Sequence, residues 1–192
     1  MAKLYFKYGS MGSGKSLELI RVAYNYIERG QKILLLSSSL DDRFGKNKIA
    51  SRTGIEMPCI SIDKKTNILS VFSAENKKKQ IDCVLVDESQ FLKKKQIDQL
   101  SEIVDKYETP VMCYGLRSDY KIKAFEGSLY LLLIADEIQE IKCICHCGKK
   151  AIFNLKIVDN KIVTKGNQIE IGSINYISLC RKCYKEGKIS KI

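Results

Sequence analysis

Lys15 and Ser16 end the run Gly9-Ser10-Met11-Gly12-Ser13-Gly14-Lys15-Ser16, which fits the pattern G-x-x-x-x-G-K-[ST] without a mismatch. Gly9, Gly12 and Gly14 lack a Cβ, so the backbone can turn tightly and aim successive N–H groups at phosphate oxygens. The positive end of a following helix would face the same anion. Lys15 would reach the β- and γ-phosphates of a nucleotide, and the Ser16 hydroxyl would ligate Mg²⁺. A second pair of chemically able residues, Asp87 and Glu88, ends the run Ile81-Asp82-Cys83-Val84-Leu85-Val86. A carboxylate at such a strand end can hold the Mg²⁺ shell. Alone, that feature is common; with the loop at Gly9 it makes the second half of a nucleotide site. Adjacent strand residues point opposite ways, so one acid can serve the metal while the next faces an acceptor. Arg43 and Arg52 are candidate cations for the transferring group; ordinary surface charge is the competing reading.

These groups need elements to position them. Lys3–Tyr8 reads as a strand buried on both sides of a parallel sheet. Leu17, Ile20, Tyr24 and Ile27 recur at helical spacing after the loop, until Gly30 stops the helix. Lys32–Ser37 reads as a second strand. Ser38–Met57 reads as a long polar connection without secondary structure of its own, and Pro58–Ile62 as a short edge strand. Helices are expected over Asn67–Lys78, Lys95–Tyr107 and Ser128–Ala135, and strands over Thr109–Gly115 and Glu137–Cys143. Leu116–Gly127 is a second long polar connection. Alternating strands and helices predict an α/β fold, a P-loop (RecA-like) parallel sheet. After Cys143 short apolar runs (Ala151–Val158, Lys161–Thr164, Ile169–Ile171) suggest a small antiparallel unit. The expected division is 1–140, a nucleotide-binding α/β domain, and 141–192, a small metal-bound β domain.

Eight cysteines invite comparison with a disulfide framework, but three lie in strand-like runs and five crowd near the C-terminus. That distribution fits buried thiols plus a metal site in a reducing compartment. Cys180-x-x-Cys183 has zinc-ligand spacing, whereas Cys145-x-Cys147 is tighter than usual. The preferred set is Cys145, Cys147, Cys180 and Cys183, a closed structural Zn²⁺ site, with Cys143 and His146 as alternative ligands. No apolar run is long enough to span a bilayer, and Met1-Ala2-Lys3 leads straight into a strand, so a cytoplasmic protein without membrane partners is expected. The formal net charge of +11 raises nucleic-acid binding, but its lysines cluster in runs that read better as solvated helix faces.

At Asp87-Glu88-Ser89-Gln90-Phe91 the sequence resembles the thymidine kinases of the bacterial and cytosolic type. The resemblance runs from Lys3 to about Lys185 and includes Asp42-Arg43-Phe44, Ser51-Arg52-x-Gly54, Cys113–Tyr120 and Cys180-Arg181-Lys182-Cys183-Tyr184. It implies ATP-dependent phosphorylation of the 5′-hydroxyl of thymidine, and of deoxyuridine, in nucleotide salvage by a homotetramer. Glu88 matches the family's catalytic base and Asp87 its Mg²⁺ acid. Gly9–Ser16 with Asp87, Glu88, Ser89 and Gln90 match its ATP-binding signature. Met11, Phe91, Leu116, Tyr120 and Phe125 match positions that wall the thymine. Asn167, Gln168, Ile169, Glu170, Ile171 and Tyr176 match a lasso that closes over the nucleoside. Tyr120 stands where Phe is usual, and Cys145-x-Cys147 is one residue shorter than the commoner spacing. A nucleic-acid-dependent ATPase with a zinc-ribbon module is the main rival, and a zinc-ribbon binding module with a decayed nucleotide site the second. No aromatic-interleaved basic groove supports the ATPase.

Overall fold

Leu4 and Phe6 of the first strand, β1 (Leu4–Tyr8), are buried on one face of the sheet that this strand joins. The computed structural model describes residues 1–40, 45, 47–158, 161–163, 166, 168 and 175–189. After β1 come α1 (Lys15–Ile27), β2 (Ile33–Ser38), β3 (Lys48–Ala50), β4 (Glu56–Pro58), β5 (Ile60–Ile62), α2 (Ile68–Lys78) and β6 (Cys83–Asp87). Then follow α3 (Lys94–Tyr107), β7 (Val111–Gly115), α4 (Glu126–Ile134) and β8 (Glu137–Glu140). Six strands pair in the order β5-β2-β6-β7-β1-β8, all parallel.

Alternation along the strands feeds two cores. Leu34, Leu36, Val84 and Val86 pack against α2, α3 and α4 through Phe72, Ile97, Leu100 and Leu131. Leu35, Cys83, Leu85 and Tyr114 face the opposite way, against Leu19, Ile20 and Ala23 of α1. Burial on both faces is what a parallel sheet demands, and it explains the near-continuous apolar strands. The Asn67 side chain caps α2 by accepting from Ser70 N at 3.0 Å.

Four expectations change. Leu17, Tyr24 and Ile27 lie on the exposed side of α1, whose buried stripe is Leu19, Ile20 and Ala23. The polar connection Ser38–Met57 is not structureless. Its second half pairs β3 with β4, because Ile49 and Met57, opposite each other, reach the α1-side core. Pro58 accordingly belongs to β4, and only β5 forms the sheet edge. The last core strand stops at Glu140, and Cys143 starts a new pairing.

That pairing is β9 (Cys143–Ile144) with β10 (Lys150–Ala151). β11 (Phe153–Val158) then pairs antiparallel with β12 (Lys161–Val163) on one side and β13 (Asn175–Leu179) on the other, and α5 (Arg181–Glu186) follows. The third apolar run expected at Ile169–Ile171 lies outside the described residues. The unit has a core of its own, with Ala151, Leu155 and Leu179 packed on Cys145, Cys180 and Cys183. No helix among the described residues is long and apolar enough to cross a membrane.

Candidate active site

The loop between β1 and α1 enters the helix through Gly14, which caps it at φ +83°, a conformation that side chains rarely adopt. Gly12 is also left-handed, at φ +73°. The N–H groups of Gly12 and Gly14 make no hydrogen bond among the described residues. The Oγ atoms of Ser10 and Ser13 are buried without a partner among the described residues. Unsatisfied donors in a tight loop at a helix N-terminus form an anion cradle.

Beside this loop opens a cavity of about 340 Å³, lined by residues 11–17, Ser37, 48–53, Asp87, Glu88 and Leu116. Lys15 is only 8% exposed, and its Nζ donates to Ser10 O at 2.9 Å and Gly9 O at 3.4 Å. Burial pushes its pKa below the ordinary lysine value, against the pull of the Glu88 and Asp87 carboxylates. The Arg52 charge pushes it the same way as burial, and Nη1 of Arg52 lies 3.6 Å from where a Gly12 Cβ would stand. The Ser16 hydroxyl donates to Asp87 Oδ2 at 2.8 Å. This oxygen pair, one hydroxyl and one buried carboxylate beside the anion cradle, suits Mg²⁺ by its donor chemistry. Glu88 leaves the strand in a left-handed conformation, φ +50°, and starts the single 3₁₀ turn Ser89–Phe91. Ser89 and Gln90 do not line the cavity. Ser89 Oγ donates to Tyr114 O, Gln90 Oε1 accepts from Leu116 N, and Gln90 Nε2 donates to the Glu88 carboxylate. Gly9 N donates to Gly115 O at 3.3 Å, tying the loop to the end of β7.

Met11 and Leu116 lie on the cavity wall. The aromatic positions form two pairs: Phe91 with Phe125, centroids 5.7 Å apart, and Tyr120 with Tyr176, 6.3 Å apart. The connection after β7 is held by Asp119, whose Oδ1 accepts from the N–H groups of Lys121 and Lys123, each at 2.8 Å. Gln168 Nε2 reaches Ala124 O at 3.1 Å, and Lys121 Nζ reaches Gly166 O at 2.6 Å, so these positions lie against that connection. Arg43, Asn167, Ile169, Glu170 and Ile171 lie outside the described residues.

Cys145, Cys147, Cys180 and Cys183 bring their sulfurs within 4.8 Å of one another. Four thiolates at about 2.3 Å from a tetrahedral Zn²⁺ stand roughly 3.8 Å apart, and Cys147 and Cys180 are already 3.6 Å apart. The Cys183 N–H, donating to Cys180, helps draw that thiol down to about 7. Cys143 instead faces Met11 O, and the His146 ring pairs with Lys188 O at 3.1 Å, so neither joins the cluster.

Sequence reasoning missed Ser37, Lys48 and Thr53 on the cavity wall, and Asn154 and Ser178 behind the loop, and it noted Ser51 only as part of a matching stretch without a role. Ser37 had a signal: it ends a parallel strand, and ligands gather at carboxyl ends. Lys48 and Thr53 had none, since two apolar residues in a polar stretch do not reveal their partner.

The family model described as thymidine kinase matches residues 2–184. A thymidine kinase of Francisella tularensis subsp. holarctica is 46% identical over 194 residues, covering 97% of this chain and 98% of that one. One from Haemophilus influenzae is 47% identical over 188 residues, 97% of each. Another from Shewanella oneidensis is 46% identical, covering 97% and 98%. A loose likeness to the Legionella pneumophila ATPase DotB, at TM-score 0.40 and 13% identity, covers 96% of this chain and 48% of that one, and carries no argument.

Proposed function

The chain belongs to the thymidine kinase family, and we propose that it transfers the γ-phosphoryl group of ATP to the 5′-hydroxyl of thymidine and deoxyuridine, a salvage step in pyrimidine deoxynucleotide supply. The observation that carries the chemistry is the convergence of Lys15, Ser16, Asp87 and Glu88 on one cavity beside an unsatisfied N–H cradle. Phosphoryl transfer asks a protein mainly for positioning and charge stabilisation. The Gly12 and Gly14 N–H groups hold phosphate oxygens. Lys15 meets the β- and γ-phosphates, whose charge compensates the cost of burying its own. Ser16 and Asp87 hold Mg²⁺, which when bound spreads the charge developing on the phosphates. Glu88, steadied by Gln90, accepts the proton of the attacking 5′-hydroxyl. Arg52 leans over the loop as a second cation for the transferring group, and we assign Arg43 the same candidate role.

For the nucleoside, Met11, Phe91, Leu116, Tyr120 and Phe125 form the thymine wall, and Asn167–Ile171 with Tyr176 close over it. The contacts of Gly166 and Gln168 with residues 121–124 support that closure. The four-cysteine cluster holds a structural Zn²⁺, which when bound cross-links the two ends of the small unit; four thiolates leave no open position for chemistry. We place the division between nucleotide and zinc units at residues 140/141, the enzyme in the cytoplasm, where thiols stay reduced, and the assembly as a homotetramer. Exposed Leu129, Leu133 and Ile134 on α4 support self-association.

The nucleic-acid-dependent ATPase is the weaker reading, because the cavity wall carries Met11 and Leu116 rather than stacked aromatics beside basic residues. Purified protein given ATP and Mg²⁺ should release ADP with thymidine and not with single-stranded DNA. The reverse pattern would favour the motor.

A further inference from the structure

We propose that Asn154 and Ser178 are positioning residues that set the shape of the phosphate-binding loop, and with it the affinity for ATP, by holding both backbone polar groups of Met11. Asn154 Oδ1 accepts from Met11 N at 2.8 Å, and the Ser178 hydroxyl donates to Met11 O. The two side chains stand directly opposite each other in the β11–β13 ladder, so one rigid two-strand element makes both contacts. Asn154 is 6% exposed and its acceptor is spent on the loop.

Peptide planarity gives these contacts a consequence. Met11 C=O and Gly12 N–H share one peptide plane and point in opposite directions. Holding the carbonyl outward on Ser178 therefore turns the Gly12 N–H away from β13, as a donor with no partner among the described residues. Met11 N–H and Ser10 C=O share the preceding plane. Holding that N–H on Asn154 aims the Ser10 carbonyl the other way, and this carbonyl accepts from Lys15 Nζ at 2.9 Å. Gly12, at φ +73°, is the residue type that lets a neighbouring peptide rotate. A rotated Met11–Gly12 peptide would present a carbonyl dipole to the phosphates in place of a donor. The zinc-bearing unit, through this two-point clamp, keeps the cradle in its donor-inward form.

The proposal rests on reading Gly9–Ser16 as the ATP site. Its test is ATP affinity measured without nucleoside, on zinc-loaded protein, alongside thymidine phosphorylation, metal content and melting temperature. Ser178→Ala and Asn154→Ala should each weaken ATP binding about fivefold, the loss of one hydrogen bond worth about 1 kcal/mol, with KM for ATP rising and kcat little changed. Ser178→Thr, which keeps the hydroxyl, should bind ATP as the wild type does. In the wild type, the Met11 amide should exchange its hydrogen slowly. Unchanged ATP affinity in both alanine variants, or exchange of the Met11 amide at the rate of an open loop, would overturn the clamp. Loss of thymidine use alone, with ATP affinity responding as stated, would support the clamp and count against the nucleoside assignment.

Discussion

Glu88 stands at φ +50°, a left-handed conformation that costs a residue with a side chain about 1 kcal/mol. Such a cost persists where surrounding structure imposes it, and here Gln90, 1% exposed, links the Glu88 carboxylate to the Leu116 N–H. Glu88→Gln keeps the volume and the turn but removes the basic oxygen. We expect turnover to fall about 10²–10⁴-fold with ATP binding retained, read by steady-state kinetics and nucleotide titration. Near-wild-type turnover would remove Glu88 from the base role. Lys15 poses the opposite balance: burial destabilises its charge, and the proposed phosphates would restore it. Lys15→Met should therefore lower ATP affinity by more than about tenfold while the melting temperature of the empty protein holds or rises. Because the folded chain releases the Lys15 proton below the ordinary value of 10.5, wild-type stability relative to Lys15→Met should increase as pH rises through that interval. Thermal melts of both proteins across alkaline pH check the sign.

The small β unit lacks the apolar mass to hold itself, since half of its buried core is cysteine. Cys180→Ser should lose the metal, lower the melting temperature and, through Met11, weaken ATP binding; elemental analysis, calorimetry and ATP titration read the three effects. A variant that keeps zinc and stability would contradict the ligand set. This unit also marks where the sequence stopped being legible. The paired thiols were readable because spacing alone brings Cys180 and Cys183 together. The strand–loop–helix at Gly9 and the acid at Asp87 were readable because each chemistry is local. The contact of Asn154 with Met11 joins residues 143 positions apart through a neutral polar side chain, and no periodicity or spacing announces it. The hairpin of β3 and β4 was hidden for another reason: tertiary burial of Ile49 and Met57 overrides a polar local composition.

After its first turn α4 is the apolar run Leu129–Ile134, in which Leu129, Leu133 and Ile134 remain 46%, 69% and 41% exposed, while Leu17, Tyr24 and Ile27 line the outer face of α1. A second copy of the chain would bury these surfaces. Light scattering should give a tetramer, and Leu133→Glu should shift it toward smaller species without unfolding; a wild-type monomer would contradict this. The proposed nucleoside site would select by the pattern of donors and acceptors on the base. Thymine offers acceptor, donor and acceptor at O2, N3–H and O4, whereas cytosine reverses N3 and C4 and leaves two partners facing like groups. Each unsatisfied buried group costs about 1–3 kcal/mol, so the discrimination should reach about a hundredfold or more. The 5-methyl group adds one contact, near Met11 and Leu116, worth roughly 0.8 kcal/mol. The most direct measurement is transfer of labelled γ-phosphate from ATP to thymidine, deoxyuridine and deoxycytidine, with the product identified. We expect the 5′-monophosphates of thymidine and deoxyuridine at comparable kcat/KM and very little from deoxycytidine. No monophosphate from thymidine, or equal use of deoxycytidine, would contradict it.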